Sequence, residues 1–469
     1  MGLGLLTGTS SSGAEPVFPL HPSASGRYLV DQAGVPFPIL GRSSWFIAGL
    51  SDKDLDLYMG DSLKRGFDAM EFILITHDPR GRHPPFNDKG DAPFLRRLDG
   101  KSWDGSLRYR DIKAEAPDFT SPNEAYWKRM DALLAYAAAK GVLALAFPVY
   151  VGYQAPGEEQ GWMNELAANG PARMRAYGTW VADRYKNQLN IVWMLGGDHS
   201  NFNPEQSATE AAFIDGLTRG GADTEKFRSA EWASESIGTD HPTFGRFITL
   251  NGAYSFGGYV VDHGRRAYAR QPVLPAYLLE EPYDEEGPDG NKVNPWAVPP
   301  VRRHEWWGWL STVGGYMAGN GYVWPFAGDT WRGHLDSQGA RDLARLNEFI
   351  RSIPWFDLVP SGLGGMRTLV TAGGSAERAP DYVAAAATPD GGLLVAYVPP
   401  AHNGPVQVDL TAMGGKVRAR WFDPTSGAYS EAAEGLPNSG PYQFMVPWRN
   451  SAGDTDWVLV LDSAKRGGS

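Results

Sequence analysis

Short apolar runs of strand length alternate with longer segments of helical spacing between Tyr28 and Pro360. This alternation is typical of an α/β domain built on a parallel sheet. We predict eight strands in this region, at Phe37–Trp45, Ala69–Thr76, Val142–Tyr150, Ile191–Leu195, Ala230–Gly238, Phe247–Leu250, Val273–Leu279 and Tyr322–Phe326. Eight strands with intervening helices predict a (β/α)8 TIM barrel with long loops. A doubly wound open sheet is the alternative, but the chain lacks the Gly-rich phosphate loop that such sheets often carry.

The helices between these strands are predicted from apolar spacing and from end signals. Asp52 is the expected N-cap of the first helix, and Gly141 is the expected stop of the second. The predicted helices are Asp52–Arg65, Asn123–Lys140, Pro171–Lys186, Arg302–Met317 and Ser337–Ile350.

The pattern changes after Pro360, where no long helical period is found. Strand-like runs follow one another between turn signals rich in Gly, Pro, Asp and Asn, which predicts a small antiparallel β-sandwich. The clearest runs are Leu393–Val398, Val406–Leu410, Val417–Phe422 and Trp457–Leu461. We therefore expect a flexible N-terminal tail (1–27), a catalytic barrel (28–360) and a C-terminal β-sandwich domain (361–465).

Composition narrows the possible functions. The net charge is −11 and Lys and Arg are not clustered, which argues against a nucleic-acid partner. The chain has no cysteine, so disulfides, thiolate metal sites and cysteine nucleophiles are excluded. No apolar run is long enough to span a membrane. The 17 tryptophans suit a site that stacks flat apolar faces such as sugar rings. We expect a periplasmic or secreted protein, although a cytoplasmic location is not excluded and no signal peptide is visible.

Acidic residues follow two of the predicted strands, at the edge where barrel enzymes place their active sites. The fourth strand ends in Gly196-Gly197-Asp198, and the seventh ends in Glu280-Glu281. Strands four and seven lie on opposite sides of a closed barrel, so these carboxylates can face each other across its mouth. Two facing carboxylates are what glycosidic cleavage needs. A single acid in this position is more often a helix N-cap or a loop ion-pair partner, so the spacing of acids alone is a weak signal.

The chain resembles the apiosidase-like glycoside hydrolases, a (β/α)8 family with a C-terminal domain of the collagen-binding type. The resemblance runs in order along nearly the whole chain after residue 27, and its most specific stretch ends at Asp198. The matching stretches include LYMGDSLKRGF (57–67), NEAYW (123–127), YGTWVADRYKNQLNIVWMLGGD (177–198), Glu281-Pro282, VAYVP (395–399), WFDPTSG (421–427) and DWVLVL (456–461).

The resemblance implies a catalytic pair. It assigns Asp198 as the general acid/base and Glu281 as the nucleophile of a retaining glycosidase, with the adjacent Glu280 as the rival for the second role. One departure concerns the first strand, where the family has Gly-Asp-Thr-Ala-Trp and this chain has Gly41-Arg42-Ser43-Ser44-Trp45. An acid is therefore replaced by Arg42, so part of the substrate pocket is expected to differ.

Several polar and aromatic residues near strand ends are candidates for substrate binding, and each has a structural alternative. The aromatic rings can stack on a sugar or pack in the core, and the polar groups can bind hydroxyls or form loop hydrogen bonds. The candidates are Trp45, His77, Asp78, His199, Asn251, Tyr254, Glu280, Tyr283 and Trp324. No catalytic metal and no other cofactor is predicted, because the histidines lack metal-ligand spacing, but the acidic segment from Asp284 to Asp289 could hold a structural Ca²⁺.

The leading hypothesis is hydrolysis of a terminal glycosidic bond in a plant or microbial glycan, with a β-apioside or a related furanoside or pyranoside as substrate. Two alternatives stay open. One is a non-catalytic glycan-binding or adhesion protein on a barrel scaffold, which the substitution by Arg42 allows. The other is a transglycosylase that uses the same residues. The sequence leaves the sugar, the linkage and the oligomeric state open.

Overall fold

A computed structural model describes residues 15–153, 160–221, 226–255, 259–280, 283–286, 300–374 and 376–464. The chain first forms a small antiparallel sheet of β1 (His21–Pro22), β2 (Leu29–Val30) and β3 (Pro36–Phe37). Because β1 pairs with β2, the predicted flexible tail over residues 1–27 extends too far along the chain. Residues 1–14 of that predicted tail lie outside the described residues.

The barrel is formed by parallel strands, as predicted. Its strands are β4 (Ile39–Ser43), β5 (Ala69–Ile73), β6 (Leu143–Phe147), β7 (Ile191–Gly196), β8 (Arg228–Glu231), β10 (Asn251–Tyr254), β11 (Ala276–Leu279) and β12 (Gly315–Ala318), with the short β9 (Ser236–Ile237) antiparallel to β10. The order in the sheet is β8-β7-β6-β5-β4-β12-β11-β10-β9. The backbone N–H groups of Thr249 and Leu250 donate to Arg228 O at 2.9 and 3.0 Å, which joins β8 to the start of β10. The predicted (β/α)8 fold is thereby confirmed.

Three of the predicted strands are misplaced. The fifth was expected at Ala230–Gly238, but β8 spans Arg228–Glu231, and the end of the predicted run forms the separate antiparallel strand β9 (Ser236–Ile237). The sixth strand was expected at Phe247–Leu250 but begins at Asn251, after a 3₁₀ turn at Gly245–Phe247. The eighth was expected at Tyr322–Phe326, but that run forms turns beyond β12. Gly315 explains the error, because it has a φ of +135° and a Cβ there would lie 2.0 Å from Ile39 O. A glycine-bounded strand packed this closely against β4 lacks the apolar pattern of a typical strand.

The helices surround the barrel and share its outer core. They are α1 (Asp52–Lys64), α2 (Ile112–Glu115), α3 (Glu124–Ala139), α4 (Met163–Arg184), α5 (Pro204–Leu217), α6 (Val260–Ala269), α7 (Pro300–Thr312) and α8 (Gln338–Ser352). Ser51, rather than the predicted Asp52, caps α1, since its side chain accepts from Asp54 N. The helix predicted to begin at Pro171 is the second part of α4, which bends at Gly170, where φ is +71°. The helix predicted over Arg302–Met317 ends earlier, at Thr312.

The C-terminal region forms two antiparallel sheets, as predicted for a β-sandwich. Its strands are β13 (Val359–Pro360), β14 (Val370–Ala372), β15 (Ala384–Ala387), β16 (Leu393–Val398), β17 (Pro405–Asp409), β18 (Val417–Phe422), β19 (Tyr429–Leu436), β20 (Pro441–Met445) and β21 (Trp457–Ser463). The sheet orders are β13-β15-β16-β21-β18-β19 and β14-β17-β20. Alternate residues of β16 face opposite ways: Leu394 packs between the two sheets, whereas Val395 packs in the core shared with α7 and α8.

Candidate active site

The exit of β7 presents an acid at the mouth of the barrel. Gly196 and Gly197 have φ values of +76° and +130°, and Asp198 follows at +47°. A Cβ on Gly196 would lie 2.5 Å from Glu231 O, and one on Gly197 would lie 2.4 Å from the Tyr150 ring. Only glycine fits both positions, so the glycine pair allows the backbone to turn sharply and places Asp198 inside the mouth.

Two tyrosines hold the Asp198 carboxylate. Tyr254 at the end of β10 donates its hydroxyl to Oδ1 at 2.6 Å, and Tyr150 beyond β6 donates to Oδ2 at 3.0 Å. Burial raises the pKa of Asp198 above its ordinary value, while these two hydrogen bonds and the positive charge of Arg80 act in the opposite direction. Asp198 is therefore a half-buried, oriented carboxyl whose pKa is raised, which suits a group that must donate a proton.

Glu280 follows β11 directly and is also buried within the mouth, with a φ of +39°. The indole N–H of Trp45, beyond β4, lies 2.6 Å from Glu280 Oε1 and 2.6 Å from the Tyr283 hydroxyl. The Trp45 ring in turn packs against Tyr150, with ring centroids 5.6 Å apart. A continuous set of aromatic side chains thus connects the partners of the two carboxyl groups.

Asp198 and Glu280 line one cavity of about 290 Å³. Its lining comprises Trp45, Phe46, Ile73, Asp78, Arg80, Tyr150, Tyr153, Gln160, Asp198, Tyr254, Glu280, Tyr283, Glu286 and Trp324. The cavity combines aromatic faces with facing polar groups. This is the usual character of a small-molecule site at the carboxyl end of a barrel.

The predicted site residues divide into three groups. Asp198, Trp45, Asp78, Tyr254, Glu280, Tyr283 and Trp324 line the cavity. His77, His199 and Asn251 are not among its lining residues. The predicted nucleophile Glu281 lies outside the described residues.

The three residues away from the cavity have structural partners. His77 Nε2 lies 3.1 Å from Glu165 Oε1, and both side chains are buried. His199 Nε2 lies 2.9 Å from Asn201 O, and burial lowers the pKa of this imidazole. Asn251 is fully buried, and its side chain accepts a hydrogen bond from Thr239 N at 3.2 Å. His77 and His199 lie in segments that follow β5 and β7 at the mouth, whereas Asn251 begins β10 at the opposite end of the barrel, so its prediction as a substrate-binding residue after a strand is wrong.

Arg42, which stands where the family has an acid, points away from the cavity. Its guanidinium pairs with Asp61 of α1 at 2.8 Å, lies 3.2 Å from Ser62 Oγ and covers the Phe67 ring. The substitution therefore adds an ion pair between β4 and α1 and does not place a positive charge among the residues that line the cavity.

Sequence analysis missed Tyr150, Arg80 and Gln160, which line the cavity, as well as the acid Glu71 beneath it. Tyr150 ends an apolar run and carries no polar motif, and the other two come from long loops. Glu71 of β5 is fully buried, and burial together with the charge of Asp198 raises its pKa well above the usual value. The protonated form of Glu71 is therefore favoured, which limits the negative charge beneath Asp198.

The barrel, with two carboxyl groups facing one small cavity at its mouth, is the arrangement of (β/α)8 glycoside hydrolases. A family described as "Apiosidase-like, catalytic domain" matches residues 23–357, and one described as "Putative collagen-binding domain of a collagenase" matches residues 369–462. The chain belongs to the apiosidase-like family, and it is a glycosidase.

Solved structures share the fold of almost the whole chain. A protein described as "Glycoside hydrolase" is similar with a TM-score of 0.72 and 18% identity over 95% of this chain and 97% of its own. A glycoside hydrolase family 5 protein from Bacteroides vulgatus has the same TM-score and identity over 95% of this chain and 93% of its own. At these identities the likeness concerns the fold. A comparison with curated proteins gave no match.

Other predictions concern partners and ions. None of the described helices is long and apolar enough to cross a membrane. The acidic segment suggested for Ca²⁺ includes residues 287–289, which lie outside the described residues, so this suggestion stays a prediction.

Proposed function

We propose that the protein hydrolyses a terminal glycosidic bond of a glycan, with Asp198 as the general acid/base and Glu280 as the nucleophile. The observation that carries this proposal is that both carboxyl groups, one after β7 and one after β11, line the same cavity of about 290 Å³. This volume is near the lower end of the range of roughly 300–1,000 Å³ for ligand pockets, which suits a single terminal sugar unit such as a β-apioside or a related furanoside or pyranoside.

The local chemistry fits the two roles. In the first step Asp198 gives its proton to the glycosidic oxygen while a Glu280 oxygen attacks the anomeric carbon, so that the bond to the leaving group breaks and a covalent glycosyl–enzyme forms. In the second step Asp198 takes a proton from water, whose oxygen attacks the anomeric carbon and releases Glu280. Burial favours protonated Asp198 before the reaction, and the Trp45 N–H stabilises the ionised form of Glu280.

The choice between Glu280 and Glu281 is the point to test first. Glu280 is supported by its place in the cavity and by its bond to Trp45. The family resemblance favours Glu281 instead. The two residues are adjacent, so each is the matched control of the other.

We expect Asp198→Asn and Glu280→Gln each to lose about three orders of magnitude in kcat/KM, because each removes a group that reacts with the substrate. Glu281→Gln is expected to keep most of the activity. The wild-type protein is first screened against a panel of aryl glycosides and plant oligosaccharides, and the anomer of the first product is read by NMR. A retained configuration is expected.

Azide addresses the roles directly. Glu280→Ala with azide is expected to form a glycosyl azide of inverted configuration, because azide attacks from the side that the nucleophile has vacated. Inactivity of Glu281→Gln together with near-normal turnover of Glu280→Gln would move the nucleophile by one residue. A wild-type protein that binds these glycans and releases no product from any of them would favour the glycan-binding alternative.

A further inference from the structure

Arg80 lies between two cavities. It lines the catalytic cavity of about 290 Å³, and it also lines a larger open groove of about 1200 Å³ on the surface beside it. The groove is formed by much of the loop after β5, by Gly49 and Ser51 before α1, and by Ala327 and Gly328 beyond β12. Among the described residues, Arg80 is the one that the linings of these two cavities share.

The contacts of Arg80 connect three loops across this boundary. Its Nε lies 3.0 and 3.1 Å from the two carboxylate oxygens of Asp78, and its Nη2 lies 2.5 Å from Asp78 Oδ2. Nη2 also donates to Gln160 Oε1 at 2.6 Å, in the loop between β6 and α4. The guanidinium carbon lies 4.8 Å from the centroid of the Trp324 ring, beyond β12.

These contacts stabilise the position of Arg80 between the catalytic cavity and the groove. The Asp78 side chain is only 4% exposed, whereas that of Arg80 is 50% exposed. Moving Arg80 aside would leave a buried carboxylate without this cation, which is strongly unfavourable. The planar guanidinium stacked on an indole is also a stable arrangement. A glycan chain that ran from the catalytic cavity into the groove would have to displace all of these contacts.

We propose that Arg80 separates the catalytic cavity from the groove and thereby restricts cleavage to the terminal unit of a glycan. This inference rests on the proposed function, since it assigns a specificity-determining residue to the same site. The groove then takes no part in cleavage while Arg80 is in place. Once Arg80 is removed, the cavity and the groove become continuous and can hold internal units of a chain.

The test compares Arg80→Ala with the wild-type protein on soluble arabinan, xyloglucan, mannan and pectin. Terminal release is measured as free monosaccharide, and internal cleavage as the size of the remaining polymer. We expect the ratio of internal to terminal cleavage to rise at least about tenfold, within the range that one pocket contact commonly controls. The single variant leaves the buried Asp78 carboxylate without its cation. The double variant Asp78→Asn with Arg80→Ala also removes this negative charge, so it tests the same change if the single variant folds poorly.

Arg341→Ala is the matched control. Arg341 is likewise 50% exposed, pairs with Asp336 at 3.1 Å and donates to Gln338 at 3.1 Å, but it lines neither cavity. Its ratio of internal to terminal cleavage is expected to equal that of the wild-type protein. Terminal release without any internal cleavage in both Arg80 variants would overturn the proposal.

Binding separates failure of this inference from failure of the proposed function. Calorimetric titration with oligosaccharides of increasing length, drawn from the same four glycans, is carried out on Asp198→Asn with and without the Arg80→Ala change. We expect longer oligosaccharides to bind about tenfold more tightly when Arg80 is absent. If the wild-type protein cleaves nothing but this gain in affinity is observed, the proposed function is wrong, while the separation of the cavity from the groove by Arg80 is supported. If cleavage occurs and the affinity is independent of oligosaccharide length in both proteins, the inference that Arg80 separates the cavity from the groove is wrong.

Discussion

Asp198 is held by two phenol hydroxyls while burial acts against its charge. The hydrogen bonds from Tyr254 and Tyr150 stabilise the carboxylate and so lower its pKa from the higher value that burial alone would produce. The two effects oppose each other, and together they determine the pH above which Asp198 no longer has a proton to donate. If Asp198 is the acid, the activity must fall as pH rises through this pKa.

Tyr254→Phe is therefore expected to shift the basic limb of the pH profile of kcat/KM to higher pH. Loss of one hydrogen bond to an ionised group corresponds to a shift of about one pH unit. The profile is measured on the best aryl glycoside found in the screen. Tyr153→Phe is the control, because Tyr153 lines the same cavity without a described hydrogen bond to Asp198. A limb that stays in place, or one that moves to lower pH, would contradict the role of Asp198 as the acid.

At the scale of elements, α4 and α5 approach each other through glycines. A Cβ on Gly178 of α4 would lie 2.3 Å from Phe213 O, and one on Gly216 of α5 would lie 2.1 Å from Arg175 O. Both neighbours are backbone atoms of the opposite helix, so they cannot move aside without shifting a helix. This contact packs α4 and α5 together in the apolar core outside β7, which contains Tyr177, Phe213 and Trp193.

Gly178→Ala is expected to lower the free energy of unfolding by about 2 kcal/mol, because overpacking costs more than the gain in helix propensity. Gly60→Ala in α1 is the matched control, since nothing lies within 4 Å of a Cβ at that position. It is expected to stabilise the protein by about 0.5–1 kcal/mol. Urea unfolding followed by circular dichroism measures both changes. Equal changes in the free energy of unfolding for the two substitutions would show that the contact between α4 and α5 accommodates a methyl group at Gly178.

The sequence allowed the elements with regular apolar patterns to be predicted, and it failed where close packing replaced the pattern. The third, fourth and seventh strands were predicted within a few residues, since continuous apolar runs are typical of a parallel barrel. The last strand was missed because Gly315 allows an approach to β4 that no side chain permits. The following apolar run contains Trp324, which lies in a turn and lines the cavity.

The candidate site was predictable to the same extent. Asp198 follows a strand after two glycines, so its position could be inferred from local sequence. Glu280 and Glu281 could not be distinguished, because alternate residues of a strand face opposite sides and the register at the end of β11 depends on the fold. Arg80 belongs to a long loop, and its contacts with Gln160 and Trp324 connect segments that are distant in sequence. Such contacts leave no signal in a single sequence.

At the scale of the whole molecule, the barrel and the C-terminal sheets share a buried interface. Trp306 of α7 stacks on Tyr397 of β16 with ring centroids 5.7 Å apart and an interplanar angle of 3°. Beside this stack Arg302, whose side chain is 1% exposed, forms hydrogen bonds of 2.7 Å to both carboxylate oxygens of Asp456 and one of 2.6 Å to Asp342. The Arg302 guanidinium thus connects α7, α8 and the segment before β21 through buried ion pairs.

Arg302→Met is expected to destabilise the protein by about 3–5 kcal/mol, because it leaves the carboxylates of Asp342 and Asp456 buried without their cation. The pKa of Asp342 is already raised to about 6 by burial, against the opposing effect of Arg302, so loss of Arg302 raises it further. Because the folded state then holds the Asp342 proton more tightly than the unfolded state does, the folded protein loses stability as pH rises. The loss of stability relative to the wild-type protein should therefore be larger at pH 8 than at pH 5. Calorimetry should resolve separate transitions for the barrel and the C-terminal sheets at the higher pH.

Arg345→Met, which removes an exposed ion pair with Glu348 at 2.9 Å, should cost less than about 1 kcal/mol at either pH. A single transition with an unchanged midpoint in Arg302→Met would mean that apolar packing around Trp306 alone couples the two parts.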